Sequence, residues 1–144
     1  MVNILVVGAT SYIGKYLFEK FSKTFSVAGT SSKGANGFLK LDLLDLNSFD
    51  FNNINSSTFV FFCSAISSIE KCQNDQTYAT SLNIDGTSYF IERFLEKGCH
   101  IIFMSSDAIF GVAKKICNED SKINPISFYG ESKAIIEEKF KNSE

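Results

Sequence analysis

Asn3-Ile-Leu-Val-Val-Gly8-Ala-Thr-Ser-Tyr-Ile-Gly14 is the stretch on which the reading of this chain turns. Its first part, Asn3 to Val7, is an almost continuous apolar run, the pattern of a strand covered on both faces. Gly8 permits a tight turn directly after that run, and Gly14 lets a following helix approach the strand closely. Ile13, Leu17, Phe18 and Phe21 then recur at helical spacing. Working outward, four more β-rich runs appear: Phe25 to Gly29, Phe38 to Leu41, Thr58 to Cys63 and His100 to Met104. A helical segment containing Leu82, Phe90, Ile91, Phe94 and Leu95 precedes the last run, and another helix is expected from near Ser127 to about Lys141. Strand alternating with helix, joined by right-handed crossovers, gives an α/β, doubly wound parallel sheet of about five strands in order 3-2-1-4-5, with helices on both faces.

Composition agrees with one such domain. The chain has 144 residues, 44% hydrophobic and 21% charged, enough to bury a single core and too little for a second full domain. Fourteen basic against sixteen acidic side chains leave a net charge of −2, which argues against nucleic acid as a partner. The fifteen phenylalanines, with no tryptophan, read as core filler. Cys63, Cys72, Cys99 and Cys117 form no C-x-x-C pair, and His100 is the lone histidine, so no metal site is expected. The cysteines read as thiols of a reducing, cytoplasmic setting; no basic leader precedes the N-terminal apolar run and no stretch approaches membrane-spanning length, so no membrane partner is expected.

The loop after the first strand places free backbone N–H groups and the positive end of a helix dipole where a dinucleotide pyrophosphate would sit. Gly8, Thr10, Ser11, Tyr12, Ile13 and Gly14 are the candidates there, with Ser11 standing where a full Rossmann fingerprint has a third glycine. A structural turn without a ligand would have the same residues. At the end of the second strand an NAD site usually carries a carboxylate; here stand Thr30, Ser31, Ser32 and Lys33. Hydroxyls and an ammonium suit a 2′-phosphate, so NADP is favoured, with NAD as the alternative and with Lys33 as a plain solvated turn residue equally open.

Tyr129-Gly-Glu-Ser-Lys133 carries the sharpest chemical signal. Residues four apart share a helix face, so the Lys133 ammonium is placed to favour ionisation of the Tyr129 phenol, making it a proton donor or acceptor at a carbonyl oxygen. Ser106, just after the fifth strand, is the candidate to orient that oxygen. An ordinary surface helix with a snorkelling lysine shows the same spacing. His100 reads as the start of a strand, and Glu137-Glu138-Lys139 as a solvated helix face.

Taken together, Gly8 to Gly14, Asn83-Ile-Asp-Gly-Thr87, Ser105-Ser-Asp-Ala-Ile-Phe-Gly111 and Tyr129-Gly-Glu-Ser-Lys133 resemble, in that order, the extended short-chain dehydrogenases/reductases, the group of NAD(P)-dependent nucleotide-sugar epimerases, dehydratases and reductases. Ser64 to Cys72, Glu119-Asp120 and Asn124-Pro125 are most similar to dTDP-4-dehydrorhamnose reductases. The resemblance implies that Ser106, Tyr129 and Lys133 are the catalytic trio, with Tyr129 and Lys133 also touching the cofactor. It implies that Asp42 and Leu43 flank adenine, that Ser64, Ala65 and Ile66 lie along the cofactor, and that Asn83 supports the site. Dehydratases of the group carry an acidic pair where this chain has Asp107 followed by Ala108, which makes dehydration the weaker branch.

Members of that group are about twice this length. Residues 1–144 are therefore expected to form one NAD(P)-binding Rossmann domain without the C-terminal region that grips the sugar nucleotide. A homodimer through the helices of Thr77 to Lys97 and Phe128 to Lys141 is expected, or a second chain completing the site. Three functions stay open on these residues: reduction of a keto group on a nucleotide-activated sugar, epimerisation of one with retained NAD, and dinucleotide binding without turnover.

Overall fold

All four residues of β1 (Ile4–Val7) are buried. The structure, a computed structural model, describes residues 2–112 and 116–143. From β1 the chain passes into α1 (Tyr12–Phe21), then β2 (Val27–Ser31), β3 (Leu39–Lys40), a 3-10 turn (Phe51–Asn53) and β4 (Phe59–Phe62). Next come α2 (Ile69–Asn74), α3 (Gln76–Thr80), a π-helical turn (Ser81–Gly86), α4 (Thr87–Glu96) and β5 (His100–Phe103). A 3-10 turn (Asp107–Phe110) and α5 (Phe128–Phe140) complete the described elements. The sheet is parallel throughout, in order β3-β2-β1-β4-β5. This is the Rossmann-like α/β order expected from the sequence.

The chain packs as two compact units, one of Met1–Ala65 and Ser88–Met104, the other of Ile66–Thr87 and Ser105–Glu144. The first contains the whole sheet. Alternation along β1 sends Ile4 and Val6 to one face, where Leu17, Phe18 and Phe21 of α1 pack with Val27, Phe38 and Phe61. Leu5 and Val7 point the other way, in register with the fully buried Val60 and Phe62 of β4. Phe49, Phe51, Phe90 and Phe94 form an aromatic cluster, with ring centroids 4.9 Å apart for Phe49–Phe51 and 5.1 Å for Phe51–Phe94. Phe49, Phe62, Phe90 and Phe94 are buried in the core and Phe18, Phe21, Phe38 and Phe61 are partly buried against it, whereas Phe25 and Phe59 are about half exposed. Phe59 stacks on His100, whose ring centroid is 4.9 Å away, so the histidine does begin β5.

One strand is displaced from its expected place. β2 covers Val27–Ser31, two residues beyond the run Phe25 to Gly29. The cause lies at both ends. The Phe25 N–H donates to Phe21 O (2.9 Å), which ties Phe25 to the end of α1, while Thr30 and Ser31 pair with Leu39 and Lys40 of β3. The expected third run, Phe38 to Leu41, supplies only those two residues as strand.

The second unit is built on α2, α3, the π turn and α5. Each helix begins on a side-chain cap: the Lys71 N–H donates to Ser68 Oγ, the Tyr78 N–H to Asp75 Oδ1 and the Gly130 N–H to Ser127 Oγ. α5 runs from Phe128 to Phe140, inside the expected Ser127 to Lys141. The long connection from Ser105 to Ser127 has its first part folded, as the turn Asp107–Phe110; residues 113–115 of that connection lie outside the described residues. No helix among the described residues is long and apolar enough to cross a membrane.

Candidate functional site

The glycine loop is held by its neighbours rather than by itself. Gly8 has φ +80°, a left-handed conformation, and a Cβ there would lie 3.0 Å from Ser64. Its N–H donates to Thr30 Oγ1 (3.2 Å) and the Ala9 N–H donates to Thr30 O (2.9 Å). Ser11 is the N-cap of α1: the Gly14 N–H donates to Ser11 Oγ (3.1 Å). A Cβ on Gly14 would strike the carbonyl oxygen of Gly8. Both glycines are thus steric necessities, and Ser11 closes the first helical turn.

That arrangement fits a phosphate. The Tyr12 and Ile13 N–H groups open the helix with no partner one turn earlier, at the positive end of the helix dipole. Thr10, Tyr12 and Ile13 are exposed, Tyr12 almost completely. No side chain of α1's first turn is acidic. The cradle therefore combines open donors, missing Cβ atoms and no repelling charge, as a dinucleotide pyrophosphate requires.

The remaining expected contacts of the first unit divide by exposure. Thr30 is fully buried with its hydroxyl given to Gly8, and Ser31 Oγ accepts the Gly34 N–H (3.1 Å). Ser32 and Lys33 are exposed. The burial follows from the displaced β2, which draws Thr30 and Ser31 into the sheet and leaves the next two side chains exposed. Asp42 takes the Leu44 N–H on Oδ1 (3.1 Å) and donates its own N–H to Ser48 Oγ (2.8 Å), while Leu43 is buried. Ser64 and Ala65, half-buried, follow β4.

Ser106, Tyr129 and Lys133 all belong to the second unit. Ser106 caps the turn Asp107–Phe110; its hydroxyl accepts the Ala108 N–H (3.2 Å) and donates to Asp107 Oδ1 (3.3 Å). α5 packs against that turn through Gly130, whose missing Cβ makes room for the Ala108 carbonyl oxygen. Gly111, at φ +62°, does the same for the Asn124 carbonyl, and the Asn124 N–H donates to Ile109 O (2.9 Å). Lys133 is buried, with Nζ 6.0 Å from the centroid of the half-buried Tyr129 ring. The ammonium and the aromatic ring thus share one face of α5.

Asn83, on the π turn, is 3% exposed and its amide is fully used. Oδ1 accepts the Ile66 N–H (2.8 Å), and Nδ2 donates to Ile66 O (3.0 Å) and Ser132 Oγ (3.4 Å). Burial pushes the Cys72 thiol above its ordinary range, opposed by its hydrogen bond with Asn83. A pocket of about 520 Å³ is lined by Ser105, Ser106, Asp107, Phe110, Glu119 and Glu137, among others. Glu137 is therefore not simply a solvated face, although Glu138 and Lys139 are. Gly130, Gly111 and Ser132 stand inside the motifs quoted from the sequence, which give them no role of their own. A glycine inside a helix that offers no turn is the one local sign that could have drawn attention to Gly130.

The strand order and the glycine loop after β1 define a Rossmann-like α/β protein. The chain belongs to the NAD dependent epimerase/dehydratase family, whose model matches residues 4–144. It is similar to methionine adenosyltransferase 2 subunit beta of Bos taurus, 25% identical over 138 residues that make up 91% of this chain and 40% of that protein. It is also similar to the Escherichia coli O157:H7 N-acetyl-alpha-D-glucosaminyl-diphospho-ditrans,octacis-undecaprenol 4-epimerase, 26% identical over 94% of this chain and 42% of the relative. Among solved structures, a hypothetical dTDP-4-dehydrorhamnose reductase from Sulfolobus tokodaii superposes with a TM-score of 0.83 at 25% identity, covering 94% of this chain and 50% of the other. The chain thus spans half or less of these relatives' lengths.

Proposed function

We propose that this chain binds a nicotinamide dinucleotide on the Gly8–Gly14 loop and acts on a keto group of a nucleotide-activated sugar, with Tyr129 as the proton donor. The observation that carries the reading is the cradle, in which Gly14 closes on the Gly8 carbonyl while the Tyr12 and Ile13 N–H groups stay open. The residues of the Gly8–Gly14 loop would hold the dinucleotide, whose nicotinamide would supply or take up a hydride. Tyr129 delivers a proton to the carbonyl oxygen, Lys133 lies beside the phenol to hold it in place, and Ser106 orients the oxygen with its hydroxyl. Ser32 and Lys33, the exposed pair after β2, favour NADP over NAD. The reading includes a homodimer formed through the helical segments 77–97 and 128–141, and a cytoplasmic setting for four cysteines that form no disulfide.

Fluorescence titration with NADH and NADPH tests the cradle: saturable binding is expected for the native chain, tighter for NADPH, and none for Gly14→Ala. NADPH oxidation with dTDP-activated and UDP-activated keto sugars tests turnover. Tyr129→Phe is expected to abolish it, and unchanged turnover in that variant would remove the catalytic assignment. Light scattering is expected to give a dimer mass; a monomer at every concentration contradicts the dimer.

A second reading has its own support. The Bos taurus relative is named as the beta subunit of methionine adenosyltransferase 2, and its match covers 91% of this chain. On that reading the chain binds dinucleotide without turnover and serves a partner. Binding of NADPH with no oxidation by any of the sugars above is its signature.

A further inference from the structure

We infer that Ser132 is a positioning residue for the Tyr129–Lys133 pair: its buried hydroxyl joins the first turn of α5 to Asn83 on the π turn. The inference deepens the proposed function and rests on it for the chemistry of Tyr129. Ser132 stands between the two residues in the chain and is fully buried. Its hydroxyl donates to Tyr129 O (2.7 Å) and accepts from Asn83 Nδ2 (3.4 Å). The first bond alone would be an ordinary back-bond of serine to its own helix, which contributes little and slightly disfavours the helix. The second makes the hydroxyl a bridge.

Asn83 reaches α5 from a fixed place. It clasps both backbone groups of Ile66, accepting from N–H and donating to C=O, so the amide cannot turn without breaking two short bonds. The π turn adds one residue to the helical repeat there and aims this side chain inward, a use often made of such turns. The Tyr129 carbonyl therefore sits at the end of a chain running Ile66, Asn83, Ser132, Tyr129. Roll of α5 about its axis would carry the phenol and the Lys133 ammonium together; the Ser132 bridge opposes that roll at the point between them. Gly130 fixes the separation of α5 from the Asp107–Phe110 turn, and Ser132 fixes the rotation.

Alanine is the better helix former, so a merely local role for Ser132 predicts that Ser132→Ala leaves Tyr129 undisturbed and the helix no weaker. Positioning predicts otherwise. The decisive readout is the ring 13Cζ NMR line of Tyr129 in tyrosine-labelled protein, assigned with Tyr129→Phe. It is expected to move or broaden in Ser132→Ala, to return toward the native position in Ser132→Cys, and to stay put in Ser22→Ala, which removes the same kind of back-bond from α1. With a keto-sugar nucleotide that is turned over, Ser132→Ala is expected to lower kcat about tenfold or more while KM and the Kd for NADPH stay within twofold. If Ser132→Ala does not fold, Asn83→Asp carries the test, because it keeps an acceptor for the Ile66 N–H and removes the donor to Ser132; the Tyr129 line should move there too. A folded Ser132→Ala, or Asn83→Asp in its place, whose Tyr129 line is native overturns the inference. A native chain that neither binds NADPH nor turns over a sugar overturns the proposed function instead, and the NMR comparison still decides whether Ser132 holds the phenol.

Discussion

Two helix starts in this molecule solve the same problem at different range. At α1, Gly14 meets the carbonyl of Gly8, its neighbour in the same loop; at α5, Gly130 meets the carbonyl of Ala108, far away in the chain. Both helices carry a serine N-cap whose hydroxyl accepts the N–H of that glycine, Ser11 for Gly14 and Ser127 for Gly130. The caps look alike because both satisfy an orphan donor of the first turn. The steric partners differ, and that decides what each start can do. The start of α1 closes on its own loop and leaves the first-turn N–H groups facing out of the helix end, whereas the start of α5 is a docking point that sets where Tyr129 and Lys133 lie relative to Ser106.

If the contrast is right, a methyl group added at each glycine should have distinct consequences. Gly14→Ala is expected to have the largest effect, near the upper end of the about 1–3 kcal/mol typical of overpacking, because the obstacle is rigid backbone in a short loop. Urea denaturation gives the stability, and loss of NADPH binding the function. Both glycines are the third residue of their helix and share the same gain in helix propensity, but Gly130→Ala should cost less, about 1–2 kcal/mol, because the Ala108 carbonyl belongs to a separate turn that can shift away. Hydrogen exchange should locate the damage in α5 and the Asp107–Phe110 turn, with β1 and β4 still protected; uniform loss would erase the distinction between the two starts.

Thr30→Val sharpens the same comparison from the loop side. It keeps the shape of a fully buried residue but leaves the Gly8 N–H without its acceptor, at about 1 kcal/mol, with weaker NADPH binding as the functional sign. The smallest effect is a pH dependence shared between the two units, through Cys72 in one and Cys99 in the other. Burial raises both thiols, against the opposing Asn83 hydrogen bond and Lys97 charge. Above about pH 8.5 the unfolded chain ionises these thiols first and binds fewer protons than the folded one, so stability should fall as pH rises and be flat below that range. Urea midpoints at neutral pH and at pH 9.5 measure this, and Cys72→Ala with Cys99→Ala should flatten it.

Much of the fold was legible because its signals are local. The apolar run of β1, the glycines at 8 and 14 and the spacing of Leu17, Phe18 and Phe21 each report on a neighbour a few residues away, and the strand order follows from right-handed crossovers. β2 was misplaced by two residues because Phe25 is as apolar as any strand residue. Nothing in its immediate surroundings says that its N–H finishes α1. The π turn was invisible for a related reason: its pattern differs from an α-helix by one residue in the repeat, within the noise of a short amphipathic segment.

For the candidate site, residue type and spacing were enough to pick out Tyr129, Lys133 and the loop glycines, since an i, i+4 pair and a turn after a strand are statements about adjacent residues. What each neighbour does was decided only in the folded chain. Thr30 could serve a ligand or the loop, and it is the sheet register that hands its hydroxyl to Gly8. Ser132 reads as a filler between two reactive side chains until Asn83 is brought against it from a distant helix. By itself the sequence determined the alternation of strands and helices and the strand order, and it marked candidate reactive groups, because covalent neighbours dictate periodicity. The tertiary structure alone decided which polar atoms are consumed internally and which stay open, because a hydrogen bond depends on distances that no local spacing encodes.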